Sequence, residues 1–169
     1  MVSAIKRQLR LKTIISGNSA YAGLRRIIPA LFFGNKTSTM PLTDSDRNEI
    51  VFRLKKSMDK VCPPMVEKSA SDKGMEIIGN KPVPYGYKKE IIPGMYFASV
   101  VARKDMVSFY FFPCYTQAKL LGEIAPKLIK CLKGKTCFNI KKVEQVDEKE
   151  VTALLKAGVK IWKEMGYMK

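Results

Sequence analysis

Tyr85, Tyr87, Lys104, Tyr110 and Tyr115 are the residues of this 169-residue chain whose types and spacing best suit work on a ligand. A phenol ring gives an apolar wall with a polar handle at its rim. Lys88 and Lys89 follow Tyr87, and Arg103 and Lys104 precede the aromatic run Phe109, Tyr110, Phe111, Phe112. Rings and cations in this mixture fit a pocket for a small anionic ligand. With Lys119 added, they also fit single-stranded nucleic acid, rings stacking on bases and cations meeting phosphate. No RNA-recognition or cold-shock signature accompanies them.

Much catalytic chemistry has no residues to run on. The chain has no histidine, which removes the usual general base near neutral pH and every Ser-His or Cys-His pair. Cys62, Cys114, Cys131 and Cys137 form no CxxC pair, so they do not read as a zinc site and are expected to be reduced thiols, mostly buried. Cys114, after Pro113 at a strand end, would need an unusual activator to act as a nucleophile. Neither a GxGxxG nor a Walker-type loop is present, so nothing supports a nucleotide-binding fold. Glu144, Asp147, Glu148 and Glu150 could hold a hard cation. Lysines interleave with them, and a capped helix start explains the acids better. No catalytic residue, metal ligand or cofactor is expected.

The charge is unevenly spread. Of a net +16, residues 1–39 hold seven bases (Lys6, Arg7, Arg10, Lys12, Arg25, Arg26, Lys36) and no acid, leaving +9 for residues 40–169. Two readings of this basic leader compete. Met40 opens a sharp shift in composition, which favours an upstream extension of the reading frame. An acid-free, Arg-bearing stretch with Leu24, Ile27, Ile28 and Leu31 on one helical face also suits an organelle transit peptide. A basic arm for nucleic acid or a membrane surface is a third reading. No apolar run is long enough to span a bilayer, and the remainder is expected to be a cytoplasmic domain.

Residues 40–169 must supply the scaffold. A helix is predicted from Asp44 to Lys60, capped by Thr43 or Asp44, with Val51, Leu54, Met58 and Val61 as its buried stripe. Pro63 and Pro64 follow it. Residues 65–73 are predicted as a second short helix, 75–78 as a strand, and the Pro- and Gly-rich 79–87 as an ordered loop or sheet edge. Residues 95–102 and 106–112 read as a hairpin. Alternation puts Tyr96, Ala98 and Val100 on one face of the first strand, with Phe97, Ser99 and Val101 on the other. A helical stretch over 116–132, divided by Pro126, leads to a strand at 136–140. The last helix begins at Asp147, with Glu150 completing a capping box, Val146 and Val151 a hydrophobic staple, and Gly166 the stop. Val151, Leu154, Leu155, Gly158 and Trp162 form its buried face. This order predicts an α+β fold, an antiparallel sheet backed by helices.

The segment Pro82-Val83-Pro84-Tyr85-Gly86-Tyr87, the hairpin from Tyr96 to Tyr110, the Leu132-Lys133-Gly134-Lys135 turn and the closing capped helix together resemble the YdhG-like family of bacterial domains of unknown function. The resemblance covers about residues 44–165. It implies a small curved antiparallel sheet with a central hairpin and helices packed on one face, including N- and C-terminal helices. One branch of that family is described as a frataxin-like iron chaperone, which implies iron as a possible partner. Family members often carry His in the hairpin turn, where this chain has Met106, a thioether unsuited to hard iron. The expectation from residues and resemblance together is a non-enzymatic binding or interaction module. Its working surface is Tyr85, Tyr87, Lys104, Tyr110 and Tyr115, with iron delivery and single-stranded nucleic-acid binding as the alternatives.

Overall fold

The structure is a computed structural model that describes residues 41–169; the basic leader and the readings placed on it lie outside the described residues. Helix α1 (Asp44–Asp59) starts where expected, the Thr43 hydroxyl accepting from the Asp46 amide at 3.1 Å. Ile50, Val51, Leu54 and Met58 are buried along it. Strands β1 (Val66–Ser71), β2 (Gly74–Ile78), β5 (Tyr96–Ala102), β6 (Val107–Phe111), β8 (Cys137–Ile140) and β7 (Leu132–Lys133) make one antiparallel sheet, in the order β1-β2-β5-β6-β8-β7. Strands β3 (Val83–Tyr85) and β4 (Glu90–Ile92) pair separately as a small hairpin between β2 and β5. Helix α2 (Cys114–Ile124) and a single 3-10 turn from Leu128 to Cys131 stand either side of Pro126.

Antiparallel register gives the sheet two unlike faces. One cross-strand row reads Ala70, Met75, Val100, Phe109, Phe138, Leu132, and its four inner members are buried. The next row, on the opposite face, reads Ser69, Glu76, Ser99, Tyr110, Cys137, Lys133. The helices cover the first face, α1 lying against β2, β5 and β6 and α3 (Glu148–Glu164) against α1 and α2. Full burial of each large apolar side chain there stabilises by about 1.5–3 kcal/mol.

A bulge corrects the expected alternation in β5. Ile78 pairs with Tyr96 but Ile77 with Ala98, so Phe97 is the extra residue. Its ring joins Ala98 and Val100 in the core, edge-on to Phe111 at 5.3 Å and to Trp162 at 5.5 Å. Tyr96 turns to the other face, its hydroxyl 2.6 Å from that of Ser99. An extra residue on one strand breaks the two-residue period and bends the strand, which strict alternation cannot anticipate.

The predicted helix over residues 65–73 is a strand. All of β1 is exposed, so no apolar stripe exists to hold a helix against the core, and pairing with β2 satisfies its backbone instead.

Helix α3 closes the core. The Asp147 carboxylate accepts from the amides of Lys149 and Glu150, as an N-cap should. The other half of the expected capping box is absent: the Glu150 carboxylate turns outward and accepts from the Lys127 amide at 3.0 Å, tying α3 to the Pro126 segment. Lys127 Nζ meets the Asp147 carboxylate at 2.7 Å, and this ion pair holds the Asp147 pKa below its ordinary value. At the far end Gly166, with φ 74°, allows the Tyr167 amide to reach the Trp162 carbonyl and the Gly166 amide that of Lys163, the pairing of a Schellman stop.

Midway along α3, Gly158 lies against the sheet. A methyl group there would overlap the Phe111 ring and come within 3.1 Å of Phe97. In an open helix Gly→Ala stabilises by about 1 kcal/mol. Here the sign reverses, and Gly158→Ala is expected to lower stability in urea unfolding by about 1–3 kcal/mol, the usual range for overpacking a core. A neutral or stabilising result would mean that α3 stands further from the sheet.

Candidate basic cleft at one end of the sheet

The β1–β2 turn, the β5–β6 turn and the start of α1 meet at one end of the sheet, where two hydrogen bonds join them and a third closes the β5–β6 turn. The Ala102 amide donates to the Lys73 carbonyl at 2.8 Å. Arg103 and Met106 close the β5–β6 turn, the Arg103 amide donating to the Met106 carbonyl at 2.8 Å. From α1, Arg47 Nη1 donates to the Lys104 carbonyl at 3.1 Å, while its Nη2 pairs with Asp44.

These contacts gather Arg47, Lys73, Arg103 and Lys104 around a cleft of about 360 Å³, also lined by Asp44, Asn48 and Ala102. Asp44 is the single carboxylate in the lining and is already paired with Arg47. Lys73, Arg103 and Lys104 make no ion pair with a described residue. Unpaired cations held close in a concave site repel one another, and an anion relieves that repulsion.

The five residues singled out from the sequence fall in different places. Lys104 lines the cleft, and Tyr110 adjoins it through Arg103, whose Nη2 donates to the phenol oxygen at 3.3 Å. Tyr85 and Tyr87 sit on the β3–β4 hairpin, which leaves from the opposite end of β5, and both rings are exposed. Tyr115, in α2, stacks on Phe112 at 6.0 Å, with Lys135 Nζ 4.5 Å from its ring centre. The tyrosines therefore do not rim one pocket. Arg47 and Lys73 were not singled out from the sequence. Ser71-Asp72-Lys73-Gly74 has the composition of a tight turn, and reading it so would have placed Lys73 beside the hairpin turn.

Another cleft, of about 470 Å³, gathers Lys60, Lys149 and Lys156 from the end of α1 and from α3 around Glu148, which pairs with Lys56, but it has no arginine and draws on fewer chain segments. A cleft of about 650 Å³ on α1 mixes Lys55 and Lys56 with Asp59 and Asp72. Another, about 300 Å³, runs over β1, β2 and β5 and is lined by Ser69, Ser71, Glu76 and Ser99 among others. Among the described residues no three His, Cys, Asp or Glu side chains come together as a possible metal site. No helix among the described residues is long and apolar enough to cross a membrane.

Cys62, Cys114 and the half-buried phenol of Tyr96 are held neutral. Burial pushes Cys114 up to about 12, and burial with Asp59 and Glu67 pushes Cys62 up to about 11. Tyr96 rises to about 12 through burial, its hydrogen bond to Ser99 acting the other way and Glu76 adding to the rise. A thiol with a raised pKa has little thiolate at neutral pH and is a poor nucleophile.

The fold and this cleft define an α+β domain with a cationic site. Comparison with known proteins returns no matching family model, curated protein or solved structure.

The thiol chemistry is checked by iodoacetamide at pH 8 and peptide mapping. Cys114 should stay unmodified in the native protein and react once urea unfolds it. Native-state labelling of Cys114 at that pH would show a thiolate that burial does not suppress. A raised folded-state pKa also means that the contribution of Cys114 to stability is intact below pH 9 and lost as pH climbs toward 12.

Proposed function

We propose that this domain binds a small anion, phosphate- or carboxylate-bearing, in the cleft of Arg47, Lys73, Arg103 and Lys104, and does not transform it. The observation that carries this reading is the set of four cations from three separate chain segments facing one carboxylate. Arg47 and Arg103 are held by hydrogen bonds to Lys104 and Tyr110, so part of the ordering cost of binding is met before the ligand arrives. Arg103 keeps further donors for a bidentate contact, and the lysines act as point charges.

Binding without catalysis rests on the side chains at hand. The cleft lining contains no thiol and no hydroxyl nucleophile, and the chain has no histidine. Tyr110 lies outside the lining and reaches the cleft only through Arg103, whose hydrogen bond its oxygen accepts. Iron delivery, which the resemblance to the YdhG-like family implies, finds no cluster of carboxylates in this lining. Single-stranded nucleic acid would need exposed rings beside the cations, and Tyr85, Tyr87 and Tyr115 leave from the other end of the β5–β6 hairpin.

Calorimetric titration with inorganic phosphate as the probe tests the reading. The unaltered protein should show saturable heat that weakens as salt is raised. Lys73→Glu with Lys104→Glu should weaken binding at least about tenfold, or about 1.4 kcal/mol. Both lysines are at the surface, and an unchanged unfolding midpoint would confirm that the fold survives. Absence of saturable heat, or an affinity indifferent to the double substitution, would remove the proposal.

A further inference from the structure

The β3–β4 hairpin is an excursion with a tight neck. Its two legs cross at Gly79 and Gly94, where the Gly79 amide donates to the Met95 carbonyl at 2.8 Å and a methyl group on Gly94 would overlap the Gly79 carbonyl. Val83 is buried and Ile92 packs against the core, so the base is anchored. The tip is not. Tyr87 is 104% exposed, Ile91 70% and Tyr85 56%. Pro84 and Ile91 are cross-strand partners and both are exposed, Tyr85 and Glu90 form the neighbouring pair, and Tyr87 rides in the turn closed by Lys89 and Gly86. The apolar groups therefore surround the tip instead of making one face. Lys81, Lys88 and Lys89 flank it, against the single acid Glu90.

We infer that this hairpin docks on an anionic lipid surface, the tip entering the headgroup region and the lysines meeting lipid phosphates. Exposed apolar groups gathered at one point mark a contact surface. Tyrosine rings with an apolar body and polar hydroxyl suit the boundary between headgroups and chains. Flanking lysines are attracted to the negative surface of an anionic bilayer, and residues 40–169 are basic as a whole at +9. A tip with Pro84 and Ile91 on one side and Tyr85 beside Glu90 on the other fits a soft planar surface better than a nucleic-acid strand, which follows a groove of aligned rings and cations. The aliphatic Pro84–Ile91 pair has no stacking role toward bases. This surface is separate from the basic cleft, which lies at the other end of β5.

Sedimentation of the full chain with vesicles tests the inference. Vesicles of phosphatidylcholine with phosphatidylserine should carry the protein down, those of phosphatidylcholine alone should carry much less, and high salt should release it. Tyr87→Ser with Ile91→Ser should lower the partition at least about tenfold, and Lys88→Glu with Lys89→Glu should do the same. Both pairs are exposed at the tip, so circular dichroism and the melting temperature should be unchanged. Tyr87→Trp supplies a second readout, a blue shift of its emission on vesicles over the background of the buried Trp162. Failure of the full chain to sediment would overturn the inference. Sedimentation that ignores both double substitutions would also overturn it, since the basic leader or another face would then carry the contact. Tyr87-dependent binding of a single-stranded oligonucleotide without vesicle binding would replace lipid by nucleic acid.

Discussion

The close seating of α3 on the sheet at Gly158 is the contact on which the rest of the structure depends. Without a side chain at that position, the helix backbone comes down onto the Phe97 and Phe111 rings. Trp162, one turn further on, then meets Phe97 at 5.5 Å, Phe112 at 6.0 Å and Tyr167 at 5.4 Å, all edge-on. Edge-to-face rings add to their area burial. The β5 bulge is what brings Phe97 into this cluster, and it sends Tyr96 to the other face in the same stroke. Helix position, ring packing and the polarity of the uncovered face are thus one event. The indole Nε1 of Trp162 is buried with no hydrogen-bond partner among the described residues, a cost accepted for the packing around it.

With α1, α2 and α3 on one face, function is sought on the other face, at the sheet ends or on the excursions. The ends differ in chemistry. Where β5 passes into β6, the turns bring cations from distant parts of the chain beside the start of α1. Where β2 passes into β5, a hairpin carries tyrosines and lysines outward. The first is concave and held by backbone hydrogen bonds; the second projects on a glycine neck. Concave cationic sites select by charge and size, whereas a projecting apolar tip works by partition into another phase.

Elements with a strong local signal were legible in the sequence. The α1 stripe, the central hairpin, the Asp147 cap and Gly158 face of α3 and the division at Pro126 all stand where periodicity and breakers put them. These features depend on neighbours a few residues apart. Features set by partners elsewhere in the chain did not follow. Strand β1 has neither alternation nor an apolar stripe, because it is an exposed edge whose structure comes from its partner. The β5 bulge is a property of the β2–β5 register, which two isolated segments do not encode. The cleft depends on Arg47, Lys73 and Lys104 becoming neighbours across long sequence separations. Arg103, Lys104 and Tyr110 were recognisable as ligand-type residues, but Arg47 and Lys73 were not, and Tyr85, Tyr87 and Tyr115 were grouped with them by residue type when the topology separates them.

The uncovered face is polar by register alone. Ser69, Glu76, Ser99, Tyr110, Cys137 and Lys133 succeed one another across all six strands, and Lys68 pairs with Glu76 on its flank at 2.8 Å. Of the charges in this row only Lys133 lacks an ion pair with a described residue, while at the cleft Lys73, Arg103 and Lys104 all do, and that concentration of charge is the reason for assigning the anion there. Amide chemical-shift mapping of the isotopically labelled full chain during a phosphate titration tests that assignment most directly. The expected result is saturable shifts confined to Arg47, Lys73, Arg103, Lys104 and their sequence neighbours, with β3, β4 and α2 unmoved. Shifts centred on the β3–β4 hairpin or on the Ser69–Lys133 row, with the cleft amides silent, would contradict it.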